Sequence, residues 1–129
     1  MQLIATILTL KWDASRAPAL TRPRSLELSP RYASDAEVQE TKWTDWGDNT
    51  AYGHGVIRDT MGMGSVIAHV TLTVTDGFIL PGCTAQYAGM REYRELHATF
   101  KWKPDPAWNR ADRQESRALS GNLAGETPC

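Results

Sequence analysis

The residues best suited to binding chemistry are two tryptophans and three polar side chains in the segment Trp43–Asn49. Tryptophan rings stack flat against sugar rings, and carboxylate or amide groups beside them hydrogen-bond to sugar hydroxyls. The alternative is that the indoles plug the core and the polar residues form a turn. Residues three apart fall on opposite faces of a strand, so an uninterrupted strand would bury only one indole. The candidate ligand-binding residues are Trp43, Trp46, Asp45, Asp48 and Asn49.

Three histidines offer a hypothetical metal site. By alternation, His54, His69 and His97 each fall on the face opposite the small or apolar residues of their strands. If these strands were neighbours in a suitable register, three imidazoles could bind zinc. An exposed histidine among threonines needs no such role, so the sequence predicts no metal site and no cofactor.

No residue is predicted to be catalytic. The sequence lacks the Gly-x-Ser-x-Gly turn that exposes a serine nucleophile, and no base is indicated beside Cys83. Gly53-x-Gly55 lies inside a predicted strand, so it is not a phosphate-binding loop. Asp45 and Asp48 are close in sequence, but acids in turns are far commoner than the paired carboxylates of glycosidases. An enzyme that uses carboxylates or histidines is therefore the alternative to a binding module.

Composition restricts the class of partner. The chain has 129 residues, 41% hydrophobic and 22% charged, which is typical of a single globular domain. Its net charge of −1 argues against nucleic-acid binding, which needs a surplus of Lys and Arg. Two cysteines, Cys83 and Cys129, are too few for a disulfide scaffold. They are free thiols in a cytosolic protein and a possible bridge in an exported one.

The N-terminal segment is apolar but short. The run Leu3–Leu10 cannot span a bilayer, so no transmembrane segment is predicted. It is a poor signal peptide, since no Lys or Arg separates it from Met1. We interpret it as a first strand, with a degenerate or truncated export signal as the alternative.

The segment that follows Trp43–Asn49 shows the residue alternation of a β-strand. In Thr50–Arg58 the small residues Ala51, Gly53 and Gly55 share a face, and glycine inside a strand needs a reason. The simplest reason is space for a bulky neighbour, either Trp43 or Trp46. We therefore expect an indole to lie across these glycines.

Two further strands are expected downstream. Val66–Thr75 alternates apolar residues with threonines, and Asp76-Gly77 suits a tight turn after it. Glu92–Trp102 places Leu96, Ala98, Phe100 and Trp102 on one face and Tyr93, Glu95, His97, Thr99 and Lys101 on the other. A helix over Met90–Ala98 is the alternative.

These elements predict an all-β protein: a small antiparallel β-sandwich or barrel-like domain with flexible terminal segments. Residues 1–24 are expected to hold the N-terminal strand or degenerate export segment and a linker. Residues 25–103 form the β domain, and 104–129 a flexible polar tail.

An ordered series of short motifs resembles a group of small exported proteins of actinomycetes. The series runs from Arg22 to Lys103. Members of the group usually carry a cysteine pair in the loop after the glycine strand, whereas the loop Arg58–Ser65 here is shortened and has no cysteine. The resemblance implies an exported β domain and carries no catalytic residues, because the group has no established activity. The motifs are Arg22-Pro23-Arg24-Ser25-Leu26-Glu27-Leu28-Ser29, Trp43-Thr44-Asp45-Trp46-Gly47, Ala51-Tyr52-Gly53-His54-Gly55, Val70-Thr71-Leu72-Thr73-Val74 and Tyr93-Arg94-Glu95-Leu96.

The expected function is accordingly a non-enzymatic binding or structural module, located outside the cell or in the cell envelope. Its partner would be an envelope component or another protein, and its working surface the Trp43–Asn49 segment with the Gly82–Gly89 loop. A cytoplasmic location is the alternative.

Overall fold

A computed structural model describes residues 5–11, 19–28, 37–58, 64–103, 119 and 121–128. The prediction of an all-β, barrel-like domain is confirmed. The six strands are β1 (Thr6–Leu8), β2 (Leu26–Glu27), β3 (Glu37–Thr44), β4 (Ala51–Arg58), β5 (Val66–Ile79) and β6 (Arg91–Trp102). A short 3₁₀ segment, Gly82–Tyr87, joins β5 to β6. Because Arg91–Trp102 form a strand, the alternative of a helix over 90–98 is wrong.

The strands form one sheet in the order β1-β6-β5-β4-β3-β2, which curls into a half-barrel. Neighbours from β2 to β6 are antiparallel. The sheet is nevertheless mixed, because β1 pairs in parallel with β6 through Thr6–Leu8 and Arg91–Tyr93. The N-terminal apolar run thus forms the strand at one edge of the sheet.

The central strands follow the alternation in their sequences. In β4 the buried positions are Ala51, Gly53, Gly55 and Ile57, and each alternate residue is at least partly accessible. They pair across to Val74, Leu72, Val70 and Ala68 of β5, which are also buried. Each large apolar side chain buried in this way contributes about 1.5–3 kcal/mol before entropic costs are counted. One face of the β3–β6 sheet is therefore the core.

The expected turn at Asp76-Gly77 is wrong. Strand β5 continues through both residues to Ile79, and Gly77 pairs with Tyr93 of β6. Asp76 has a positive φ of 61°, a backbone state that aspartate tolerates better than most residues. Asp76, a residue type that favours turns, therefore produces an irregularity inside a long strand.

Tyr93 was expected on the outer face, and this is also wrong. Its side chain is fully buried, as is that of Leu96 three positions later. Strict alternation would put these two residues on opposite faces. The irregular position Asp76 lies between the paired residues Thr75–Glu95 and Gly77–Tyr93, so the change of face in β6 coincides with it.

The C-terminal strap, residues 121–128, lies against the β1–β6 edge. The amide of Lys11 donates to the Leu123 carbonyl at 2.8 Å, and the amide of Leu123 donates to the Leu96 carbonyl at 2.8 Å. Leu119 and Ala124 belong to the core cluster. Residues 104–118, 120 and 129 of the expected tail lie outside the described residues, and the expected domain boundaries stay a prediction.

Candidate functional site

The candidate ligand-binding residues occupy the end of β3 and the turn that follows it. Strand β3 ends at Thr44, and the left-handed conformations of Asp45 (φ 62°) and Gly47 (φ 99°) turn the chain toward β4. The amide of Asp48 donates to the carbonyl of Asp45 at 2.9 Å, which closes the turn. Because the strand stops before Trp46, the two indoles are not constrained to opposite faces.

Both indoles are half-buried and pack against the core. Their rings meet edge to face, with centroids 4.8 Å apart and an interplanar angle of 68°. Trp43 Nε1 donates to the Pro23 carbonyl at 2.9 Å, and Trp46 Nε1 donates to the Thr6 carbonyl at 3.3 Å. Both N–H groups are thus used within the protein, and the two rings do not form a flat stacking platform.

Tyr93 fixes the turn to the opposite side of the half-barrel. Its hydroxyl donates to the Asp48 carbonyl at 2.6 Å and accepts from the Gly47 amide at 2.9 Å. Its ring packs edge to face on Trp46, with centroids 5.2 Å apart. Arg91 Nη1 also donates to the Gly47 carbonyl, at 2.5 Å. The turn between β3 and β4 is therefore held by β6 and β1, which lie at the far side of the sheet order.

Burial raises the pKa of the Tyr93 phenol above its ordinary value, and the nearby Asp48 carboxylate acts in the same direction. The backbone hydrogen bond to Gly47 and the positive charge of Arg91 act in the opposite direction and are outweighed. The neutral phenol is the form that donates to Asp48 while accepting from Gly47. This group serves the fold, and sequence alternation placed it on the wrong face.

The three polar candidates, Asp45, Asp48 and Asn49, are exposed in the turn. Their side chains are free to meet solvent or a ligand, while the indoles behind them anchor the turn. The structure therefore brings the five predicted residues together at the end of β3 and in the turn after it, with the indoles packed against the core and the polar groups exposed. Their role in ligand binding stays a prediction.

The three histidines share the outer face, as alternation predicts, but the register does not gather them. His54 pairs with Thr71, His69 with Lys101 and His97 with Thr73. His69 and His97 are thus four residues apart along their paired strands, about 13 Å at the rise of a β-strand. Within the described ranges no group of three His, Cys, Asp or Glu side chains is placed to hold a metal ion.

A buried carboxylate that sequence reasoning passed over joins three parts of the chain. Glu92 of β6 is fully buried, and its Oε2 accepts a hydrogen bond from Thr9 Oγ1 at 2.7 Å and one from Thr127 Oγ1. Its Oε1 accepts from the Thr127 amide at 3.0 Å and lies 3.4 Å from Arg94 Nε. The sequence signal was a charged residue sharing the parity of Leu96 and Phe100 in a predicted strand.

The second predicted working surface, the loop after β5, is largely exposed. Thr84 is buried and its hydroxyl donates to the Pro81 carbonyl at 2.7 Å, while Gly82, Cys83 and Ala85 are exposed. Cys83 is disulfide-bonded. The sequence contains one other cysteine, Cys129, which lies outside the described residues.

Comparison with known proteins adds no assignment: no family model, curated protein or solved structure matches the chain. In the part of the chain that is described, no helix has the length and apolar character needed to cross a membrane.

Proposed function

We propose that the protein is an exported or cell-envelope module that binds a partner or serves a structural role and does not catalyse a reaction. The observation that carries the proposal is the disulfide bond of Cys83. Disulfides form and persist in oxidising compartments and are rare in the cytosol, where thiols are kept reduced. The bond therefore favours export over the cytoplasmic alternative.

The filling of the concave face supports a binding role on the outside of the molecule. A curled sheet that takes a small ligand holds it in its interior. Here Trp43 and Trp46 pack against a core of buried aliphatic side chains from β4, β5 and β6. The Tyr93 side chain is fully buried in the same cluster. The interior is occupied by the protein's own side chains, so recognition falls to exposed groups.

Two exposed surfaces fit this role. The first is the rim of the β3–β4 turn, where Asp45, Asp48 and Asn49 present two carboxylates and an amide. The second is the loop Gly82–Gly89, where the disulfide-bonded Cys83 restrains an exposed segment. A loop that is already ordered before binding loses less conformational entropy when a partner docks.

Localisation and thiol state test the proposal together. Cells that express the protein from its own gene would be fractionated, and the protein treated with iodoacetamide before and after reduction. We expect it in the envelope or the medium, with alkylation of both cysteines only after reduction. Recovery from the cytosol with both thiols alkylated before reduction would overturn the proposal.

The binding surface is tested separately by titrating cell-wall glycans against the wild type and an Asp45→Asn/Asp48→Asn variant in a calorimeter. We expect heat of binding for at least one glycan, reduced in the variant. If a glycan bound both proteins equally, its binding surface would not be the turn.

A further inference from the structure

Four basic side chains form a line across the outer face of the sheet. Lys42 of β3 stands directly opposite His54 of β4, and His69 of β5 stands directly opposite Lys101 of β6. Residues in such positions have their β-carbons about 4.5–5.5 Å apart. His54 pairs with Thr71, two residues from His69, so the two imidazoles are diagonal neighbours at about 7–8 Å. These four residues, here termed the basic row, come from four adjacent strands and cross about 14 Å of the sheet.

The basic row carries positive charge that the protein does not neutralise. All four side chains are exposed, and within the described residues none of them forms an ion pair. Glu40, the nearest acid along β3, is bound to Arg58 at 2.7 Å. Glu95, the nearest acid along β6, accepts a hydrogen bond from Thr75 and lies 3.9 Å from His97. Both acids are thus engaged outside the row.

The two Lys–His pairs create a repulsion that an anion would relieve. When the imidazoles are protonated, each pair sets like charges directly opposite each other, which destabilises a sheet. The pairs are open to solvent on the outer face, so a negatively charged ligand has access to both of them.

We propose that the basic row binds a linear polymer of the cell envelope whose negative charges are phosphodiesters. The choice of an envelope polymer rests on the function proposed above, whereas the site itself rests on the geometry of the row. Successive charges of a polymer reach both Lys–His pairs, while a small anion contacts only one of two pairs that are about 7–8 Å apart.

The donors in and beside the row suit phosphate. Lysine binds phosphate oxygens as a point charge, and threonine hydroxyls also donate to them. Thr71 and Thr99 pair with each other beside the row, and Thr71 also stands opposite His54. No member of the row is an arginine, whose planar fork matches a carboxylate bidentately. Phosphodiesters are therefore the charged groups that this face fits best.

The side chains around the row favour a polymer over a bilayer. A protein that lies on a membrane buries apolar side chains in it. The exposed large hydrophobic residues of the described chain are Tyr52, Phe78 and Ile79. Phe78 and Ile79 lie at the far end of β5, about 30 Å along the strand from His69. Only Tyr52 borders the row, so the row offers charge without an apolar surface.

Calorimetric titration with purified poly(glycerol phosphate) at low ionic strength tests the proposal with matched variants. We expect Lys42→Gln/Lys101→Gln to weaken binding roughly tenfold, through loss of two exposed charge contacts. The control Lys11→Gln/Arg24→Gln removes two exposed charges from outside β3–β6 and should bind like the wild type. Thermal melting verifies that each variant is folded.

The imidazoles should make this binding depend on pH. Histidine gains its charge between about pH 8 and pH 5, whereas a phosphodiester stays ionised throughout. We expect the wild-type affinity to rise severalfold over this range, and His54→Gln/His69→Gln to lose the rise while keeping its affinity at the alkaline end. The control His97→Gln, whose neighbour is Glu95, should retain the rise. On the adjacent strands the two histidines of the row face Lys42, Val56, Thr71 and Lys101, none of which is an acid.

Several results would overturn the proposal. These are no binding of poly(glycerol phosphate), equal weakening in the two double lysine and arginine variants, or equally tight binding of polyglutamate. Tighter binding of a single-stranded oligonucleotide or of phosphatidylglycerol vesicles would overturn the choice of an envelope polymer. None of these results bears on export, which fractionation and thiol state test independently. Recovery of the protein from the cytosol would overturn the envelope polymer as the ligand.

Discussion

Gly53 lies directly opposite Trp43 across the β3–β4 hairpin, and the indole fills the space where a side chain on Gly53 would be. A methyl group at Gly53 would stand 3.0 Å from two carbon atoms of the Trp43 ring. At Gly55 the space is taken by other groups: a methyl there would stand 2.5 Å from Val38 Cγ1 and 2.9 Å from the Gln39 carbonyl oxygen. The two glycines therefore accommodate different neighbours.

Alanine substitutions at these glycines should have graded effects. Gly55→Ala is expected to lower the free energy of unfolding by about 2 kcal/mol, since it must displace a branched side chain and a backbone oxygen. Gly53→Ala should lower it by about 1 kcal/mol, because a half-buried indole can shift by a few tenths of an ångström. Urea denaturation followed by tryptophan fluorescence measures both.

The control for this series is Gly82→Ala. A methyl group at Gly82 would meet no heavy atom within 4 Å, so its effect should stay within about 0.5 kcal/mol. If Gly53→Ala and Gly55→Ala were as mild as Gly82→Ala, the close approach at the hairpin would not constrain the fold.

The β3–β4 hairpin shows what the alternation of residue types can and cannot predict. The alternating small residues of β4 correctly indicated that an indole lies across Gly53. The pattern could not show that Gly55 faces Val38 and Thr41, because β3 is irregular there: its register shifts between Gln39 and Lys42, and Glu40 has a φ of 55°. A bulge adds a residue to one strand only, and no side-chain pattern in the other strand reports it.

The candidate site illustrates the same limit at longer range. Trp43 and Trp46 lie close together in the sequence, but the partners of their N–H groups are the carbonyls of Pro23 and Thr6. These partners come from segments separated from the turn by twenty and forty residues. The curl of the sheet brings them together, and local sequence carries no information on that curl.

Tyr93 should give the protein an alkaline limit to its stability. The pKa of the phenol is raised in the folded state by burial, above its ordinary value of 10.0. A group whose folded pKa is raised contributes stability that is complete below the unfolded pKa and is lost as pH rises through the folded pKa. We therefore expect the free energy of unfolding to fall above about pH 10, because the phenol then ionises in the unfolded chain while burial keeps it neutral in the folded protein.

The Tyr93→Phe variant isolates this contribution. It should be less stable than the wild type by about 1–3 kcal/mol at neutral pH, and the difference should shrink above about pH 10. Absorbance titration of the Tyr93→Phe variant should show one phenol fewer in the late-ionising class. A constant difference between Tyr93→Phe and wild type at all pH values would contradict the assignment.

Among the described carboxylates, Glu92 should be the one whose substitution lowers the stability of the fold most. Glu92→Gln keeps the shape of the side chain but replaces an acceptor with a donor that faces Thr9, Thr127 or Arg94. We expect a loss of about 2–3 kcal/mol, measured by urea denaturation. Hydrogen exchange at the Thr127 amide should accelerate, because its acceptor is Glu92 Oε1.

Glu126→Gln is the matched control, since it removes a carboxylate from the same strap. Its side chain is 77% exposed and pairs with Arg94 at 3.1 Å. Exposed pairs contribute about 0–1 kcal/mol, so this variant should be nearly neutral. Equal losses in the two variants would mean that the buried network is not what holds the strap.

The disulfide of Cys83 should stabilise the fold. Its loss by reduction or by Cys83→Ser is expected to lower the free energy of unfolding by about 2–4 kcal/mol, since the cross-link restricts the unfolded chain. Thermal melting with and without a dithiol reductant measures the loss.

Cys129→Ser should have the same effect as Cys83→Ser, and neither variant should respond further to reductant. The double variant should lose no more than either single one, because one bond is removed in all three cases. Additive losses, or a Cys129→Ser protein that remains sensitive to reductant, would show that Cys83 bonds to something other than the chain's second cysteine.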